Sequence, residues 1–155
     1  MRSNILGSVR RSLTLLTVTG ALLATSLAAA QEAAPAREEI DGLRIADMTL
    51  TRAIEGGEPT DATTTFERGA GPVWVVIRLE NATGAEADVR VSFERAEGEV
   101  AATTEGGRGV TLHVPARRRY RTVARTVVGA PGRYRVVVRT AAGNLLGTAD
   151  YTIAG

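Results

Sequence analysis

From about residue 40 onward, apolar and polar residues alternate with a period of two, in short runs separated by Gly, Pro and Asn, with no convincing helical period. From Leu43 the alternation runs imperfectly through Ile45, Met48, Leu50 and Ile54, and Gly56-Gly57-Glu58-Pro59 breaks it. That pattern predicts one strand with room for a bulge. Val73-Trp74-Val75-Val76-Ile77-Arg78-Leu79 is the most apolar run, and its β-branched content suits a central strand. Asn81-Ala82-Thr83-Gly84 supplies turn residues, after which Val89, Val91 and Phe93 alternate with Arg90, Ser92 and Glu94. Those two strands are expected to form a hairpin. Further strands are predicted at Val110 to Val114, Arg117 to Val127, Tyr134 to Val138 and Leu145 to Ile153. Gly129-Ala130-Pro131-Gly132 and Ala142-Gly143-Asn144 are the turns between the last three, and each is expected to pair its flanking strands.

Seven or eight short strands without crossover helices predict an all-β fold, an antiparallel sandwich over residues 40–155. A domain of this size buries roughly two thirds of its unfolded surface and needs no covalent staples. No internal repeat of useful length is present.

The first thirty residues have a different pattern. Arg2, Arg10 and Arg11 precede an apolar stretch from Leu13 to Leu27, and Ala28-Ala29-Ala30 follows before Gln31. A basic start, a short apolar middle and a small-residue site read as a secretory signal peptide over residues 1–30, cleaved after Ala30. Thr14, Thr17, Thr19, Gly20, Thr25 and Ser26 interrupt the apolar stretch, which disfavours a durable membrane span. A membrane link is expected only through an uncleaved signal. Arg10-Arg11-Ser12-Leu13 resembles a twin-arginine export motif, although adjacent arginines arise easily in a chain without lysine, and a general secretory signal is preferred. Residues 31–39, rich in Ala, Pro and Glu, read as a flexible linker. The expected location is periplasmic or extracellular.

Composition removes several chemistries. The chain has no Lys, so all 19 basic side chains are Arg, and Schiff-base and P-loop lysine mechanisms are excluded. With no Cys there are no disulfides, thiolate nucleophiles or zinc-cysteine sites, nor a lipid anchor through a thioether. The formal charge of +2 belongs to the signal peptide, since without Arg2, Arg10 and Arg11 the remainder holds 16 Arg against 17 acids. Residues 106–155 nevertheless hold nine Arg and one acid, whereas residues 31–67 hold nine acids and three Arg. Mutual neutralisation within one small domain is the first expectation, and a nucleic-acid partner is not expected.

A serine-hydrolase triad needs a nucleophile, a His and an orienting acid. Ser92 and His113 are the only Ser and His after residue 30, and alternation puts both on polar strand faces. They read as ordinary surface residues, so no catalytic residues and no enzyme activity are expected. Glu55, Glu58 and Asp61 stand in a loop as oxygen ligands for a weak calcium site, and Glu94, Glu97 and Glu99 form a second acidic cluster. Loop solvation explains both better, and no metal or cofactor is expected. Gly106-Gly107-Arg108-Gly109 reads as turn residues before a phosphate cradle. Asn81-Ala82-Thr83 matches a glycosylation acceptor but reads as a turn.

Parity on the arginine strands gives the least ordinary feature. Arg117, Arg119, Arg121 and Arg125 share one phase, and Arg133, Arg135 and Arg139 share another. If the turn at Gly129 to Gly132 pairs these strands, seven guanidiniums occupy one outer face, which calls for interleaved acids or a bound anion. Glu38, Glu39, Asp41, Glu55 and Glu58 are the acids available to neutralise it. Trp74 and Val76 must point outward if Val73, Val75, Ile77 and Leu79 fill the core, so that pair is either covered by the chain or used as an apolar contact.

The segments "RAIEGGEPT", "RLENATG", "VTLHVPARRRYRTVART" and "PGRYRVVVRTAAGNLLGTADYTI", in this order, resemble an uncharacterised bacterial family of envelope β-sandwich domains of unknown function. The resemblance covers about residues 43–154, and Tyr120 and Thr122 depart from the Trp and Ser expected there. "LENATGAEADVRVSFE" is also similar to adhesion-type immunoglobulin-like modules of bacterial surface proteins. Both resemblances imply a non-enzymatic accessory domain. The leading expectation is an exported, non-catalytic immunoglobulin-like β-sandwich that acts as a binding or assembly module of the bacterial cell envelope, with an envelope protein or an anionic envelope polymer as partner. The alternative is a polyanion- or carbohydrate-binding accessory domain, for which Trp74, Tyr120, Tyr134 and Tyr151 supply few stacking rings.

Overall fold

The computed structural model describes residues 39–97 and 109–155. The expected signal peptide, nearly all of the linker and the residues Glu99 and Gly106-Gly107-Arg108 lie outside the described residues. All regular structure among the described residues is β. Ten strands follow one another: β1 (Leu43–Thr51), β2 (Ile54–Glu55), β3 (Glu58–Pro59), β4 (Thr65–Glu67), β5 (Pro72–Asn81), β6 (Ala87–Arg95), β7 (Val110–Val114), β8 (Arg119–Val127), β9 (Gly132–Thr140) and β10 (Leu145–Ala154). Seven have five or more residues; the first ends at Thr51, so Ile54, expected within that strand, begins the separate two-residue β2, and β3 and β4 are short additions beyond it.

The strands form a three-stranded sheet, β1-β5-β8, a five-stranded sheet, β4-β10-β9-β6-β7, and the small β2-β3 ladder. All pairings are antiparallel except β4 with β10. Inner-face residues of both larger sheets meet in one core: Leu43, Ile45 and Leu50 of β1 and Val73, Val75, Ile77 and Leu79 of β5 join Val89, Val91, Val136, Val138 and Ile153 from the other sheet. Full burial of each such side chain contributes about 1.5–3 kcal/mol, which is how a chain without cysteines holds this arrangement. At one end Tyr151 takes Phe66 edge-on at 5.8 Å and stacks on Tyr134 at 5.5 Å.

The imperfect alternation of β1 has a local cause, because the register with β5 shifts between Ile45 and Asp47 and inserts one residue on the β1 side. Two pairing expectations are overturned. The Asn81 to Gly84 turn does not close a hairpin but carries the chain from the three-stranded sheet to the five-stranded one. Asn81 is buried; its amide donates to Ala85 O at 2.6 Å, and its side-chain oxygen accepts from Thr83 Oγ1 and Gly84 N. The Gly129 to Gly132 turn likewise joins β8 in one sheet to β9 in the other, with no ladder between them. By contrast, β9 and β10 do pair across Ala142-Gly143-Asn144, where Gly143 has φ +89°.

Candidate functional site

The outer face of the three-stranded sheet collects the charged side chains. Alternation that buries Val73, Val75, Ile77 and Leu79 turns Trp74, Val76, Arg78 and Glu80 outward. Their direct partners in β1 are Thr51, Thr49, Asp47 and Arg44, and in β8 they are Arg125, Val123, Arg121 and Arg119. Arg78 and Arg121 thus face each other across the ladder, an unfavourable juxtaposition of like charges.

The β2-β3 ladder resolves it. Gly56 (φ +56°) and Gly57 (φ +82°) make a two-residue turn of the kind that only residues tolerant of positive φ form easily. This turn presents Glu58, whose two carboxylate oxygens pair with Arg78 (3.0 Å) and with Arg121. Gly57 lies so close that an added Cβ would stand 3.0 Å from Arg121 Nη2. At the other end of the face, Arg44 pairs with Glu80 and holds its carboxyl below the ordinary value, chiefly by the hydrogen bond, with help from Arg119. Two adjoining hollows, of about 540 and 330 Å³, share Glu80 and Arg119; Arg78 and Arg121 line the larger one, and Arg44 and Arg118 the smaller.

Trp74 is half-buried and carries the Arg125 guanidinium over its ring at 5.2 Å. Val76 is 1% exposed and stands outside the core, so its own chain covers it and it offers no contact surface. That removes Val76 from the expected apolar contact and leaves Trp74.

The seven expected arginines do not share one face. Arg119, Arg121 and Arg125 lie on the three-stranded sheet, and Arg117 precedes β8 in the connecting segment. Arg133, Arg135 and Arg139 belong to β9 in the five-stranded sheet. There Arg135 pairs with Asp150 at 2.5 Å, which lowers the Asp150 carboxyl and raises the guanidinium, each mainly through their hydrogen bond. Arg139 donates to Gly143 O at 3.0 Å. Sequence reasoning missed Arg44 and Arg78, which come to the face only through the register of strands distant in sequence, and Arg118, which precedes β8 and lines the smaller hollow.

Ser92 and His113 are held apart. Ser92 donates to Glu94 at 2.5 Å, while His113 Nδ1 lies 3.1 Å from Asp88, its direct partner in the β6-β7 ladder. Asp88 and Ser92 are four residues apart along β6, a rise of about 13 Å. No triad forms from these groups. The acids of the suggested calcium loop also point elsewhere, Glu58 to two arginines and Asp61 to Arg52 at 3.1 Å. Among the described residues no three His, Asp or Glu side chains gather as metal ligands.

No family model and no curated protein matches the chain. Among solved structures it is similar to part of the alkylpurine DNA glycosylase AlkC of Pseudomonas fluorescens, at 15% identity and a TM-score of 0.46, over 74% of this chain and 31% of that one. It is also similar to part of beta-glucosidase 3B from Thermotoga neapolitana, at 12% identity and a TM-score of 0.46, over 73% of this chain and 16% of that one. The beta-glucosidase from Kluyveromyces marxianus gives 14% identity and a TM-score of 0.42, over 73% and 14%. The chain spans less than a third of each of these proteins, and likeness this loose carries no argument about activity.

Proposed function

We propose that this protein is an exported, non-catalytic, immunoglobulin-like β-sandwich that serves as a binding or assembly module of the bacterial cell envelope. The observation that carries this reading is the arginine face of the three-stranded sheet: Arg119 and Arg125, with Arg118 just before β8, make no ion pair among the described residues, although Arg44, Arg78 and Arg121 beside them do. Its geometry favours an anionic partner, since planar guanidiniums engage carboxylates and phosphates through paired hydrogen bonds. The strand order of two facing sheets around one core supports the immunoglobulin-like description, and the sequence resemblances above support an envelope setting.

Export predicts that the protein recovered from its own host begins at Gln31, read by intact mass; a chain retaining Leu13 to Leu27 contradicts cleavage. Binding is tested with polyphosphate and lipopolysaccharide at low and high salt, comparing the wild type with Arg119→Ser plus Arg121→Ser. Retention that falls with salt and with the double substitution supports the reading, because exposed charges lose reach beyond about 8 Å at physiological ionic strength. Equal, salt-insensitive retention of both proteins leaves the face as ordinary solvated surface.

A further inference from the structure

The edge of the three-stranded sheet has a geometry of its own. β8 pairs with β5 on one side and with no strand on the other among the described residues. Asn81 N–H donates to Arg118 O at 2.9 Å, which marks those two as a hydrogen-bonded pair, and antiparallel register carries this phase down the ladder. Tyr120, Thr122, Ala124 and Thr126 therefore turn their backbone groups toward β5. Arg119, Arg121, Val123, Arg125 and Val127 turn theirs outward, where no hydrogen bond from the described residues reaches them.

The other sheet edges are short or occupied. β4 has three residues and β7 five. The edge of β1 is covered at both ends by its own chain, with Ile40 and Leu43 exchanging two hydrogen bonds and Thr63 N donating to Leu50 O at 3.0 Å, and is broken between them by the bulge after Ile45. β8 is left as a nine-residue open edge of roughly 30 Å.

We infer that the open edge of β8 accepts an extended acidic segment of a partner protein as an added antiparallel strand, with the side-chain pattern acid-x-apolar-x-x-x-acid. An added strand satisfies the outward N–H and C=O groups and sets its alternate residues directly opposite Arg125, Val123, Arg121 and Arg119, about 5.5 Å away and on the same outer face. Acids fit opposite Arg125, which has no carboxylate partner among the described residues, and opposite Arg119, which makes no ion pair although Glu80 is its neighbour across the ladder, whereas Arg121 already has Glu58. An apolar residue fits opposite Val123. A second copy of β8 is the wrong occupant, because antiparallel pairing about Val123 sets Arg121 against Arg125 twice, and charged edges of this kind oppose self-association. The inference rests on the reading of this chain as a binding module and adds the mode of recognition and the partner's chemistry.

The test uses a fluorescent peptide, Val-Thr-Glu-Thr-Val-Thr-Thr-Thr-Glu, titrated with the purified protein and followed by anisotropy. Replacing both Glu by Lys is expected to weaken binding at least tenfold, and so is N-methylation of the three peptide nitrogens that face Arg121, Val123 and Arg125. Val123→Pro in the protein removes an outward N–H at an edge position where proline is tolerated, and is expected to weaken binding similarly. If that variant fails to fold by circular dichroism, the N-methylated peptide decides. Arg125→Glu is expected to lose the Glu peptide and gain the Lys peptide. Undiminished binding of the N-methylated peptide overturns strand addition. Absence of binding at millimolar peptide also overturns it, and leaves the binding-module reading standing if polyphosphate retention still depends on Arg119 and Arg121; loss of both ends both.

Discussion

Arg125 stands directly opposite Trp74 in the β5-β8 ladder, and its guanidinium rests 5.2 Å above the indole ring. In the sequence these residues belong to separate features, an apolar outward residue and a cationic row. In the fold each is the other's partner: the ring covers one face of the cation, and the cation shields the ring from water. A contact of this kind contributes about 0.5–1 kcal/mol at an exposed site.

Arg125→Ser is therefore expected to lower stability by about that amount and to change the emission of Trp74, the only tryptophan in the chain. Denaturant melts and tryptophan fluorescence check it. An unaltered spectrum contradicts the stacked arrangement.

Glu58→Gln should act on two properties in opposite directions. Without the carboxylate, Arg78 and Arg121 face each other unscreened, and stability is expected to fall by roughly 0.5–1 kcal/mol, in keeping with exposed ion pairs. The same change frees two guanidiniums, so retention on polyphosphate at low salt should rise. A variant as stable as the wild type with no added retention contradicts the bridging role.

Gly57→Val combines a branched side chain at φ +82° with a Cβ 3.0 Å from Arg121 Nη2. A loss of about 1–2 kcal/mol is expected, with the Glu58 bridge displaced. Gly56→Asn, at φ +56° and with open space around its Cβ, should be milder. Thermal melts of the two variants give the comparison, and equal losses contradict it.

Alkaline pH should expose the core tyrosine. Desolvation pushes the Tyr151 hydroxyl up from 10 to about 12. A folded value above the unfolded one gives stability that is complete below pH 10 and lost as pH rises toward 12, because the unfolded chain ionises first. The loss approaches roughly 2–3 kcal/mol at the upper end. Tyr151→Phe keeps the ring against Phe66 and Tyr134 and should remove this part of the pH dependence. At the acid end, Glu80 and Asp150 are held below their ordinary values by Arg44 and Arg135, so their contribution is present above the unfolded values and lost as pH falls through the folded ones. Urea melts between pH 2 and pH 12 read both limits.

The period-two pattern made the strands legible, from Leu43 to Ile153, because side-chain alternation is a local property of a half-buried strand. It also gave the outward direction of Trp74 and the turn at Asn81. Strand partnership was legible only across Ala142-Gly143-Asn144, where β9 and β10 pair as expected. Asn81-Ala82-Thr83-Gly84 has hairpin chemistry, but the buried Asn81 amide uses its hydrogen bonds to redirect the chain into the other sheet. The same limit dispersed the arginine face: parity within β8 and within β9 was right, whereas their assignment to one sheet depended on a pairing that the fold does not make. Glu58 was one of several acids named as neutralisers, and its reach to both Arg78 and Arg121 follows from a two-residue turn whose placement over the sheet is tertiary.

β10 lies between β4 and β9 and contributes Leu146, Tyr151 and Ile153 to the core. Its three-residue parallel pairing with β4 ties Thr65, Phe66 and Glu67 to Thr152, Ile153 and Ala154, across most of the described chain. Such a pairing has a long loop to close and cannot form until the last strand has been made. While the chain is synthesised from its N-terminus, Phe66 must wait without Ile153 and Tyr151, and the five-stranded sheet lacks an interior member. The order of synthesis thus keeps the five-stranded sheet incomplete until β10 has emerged.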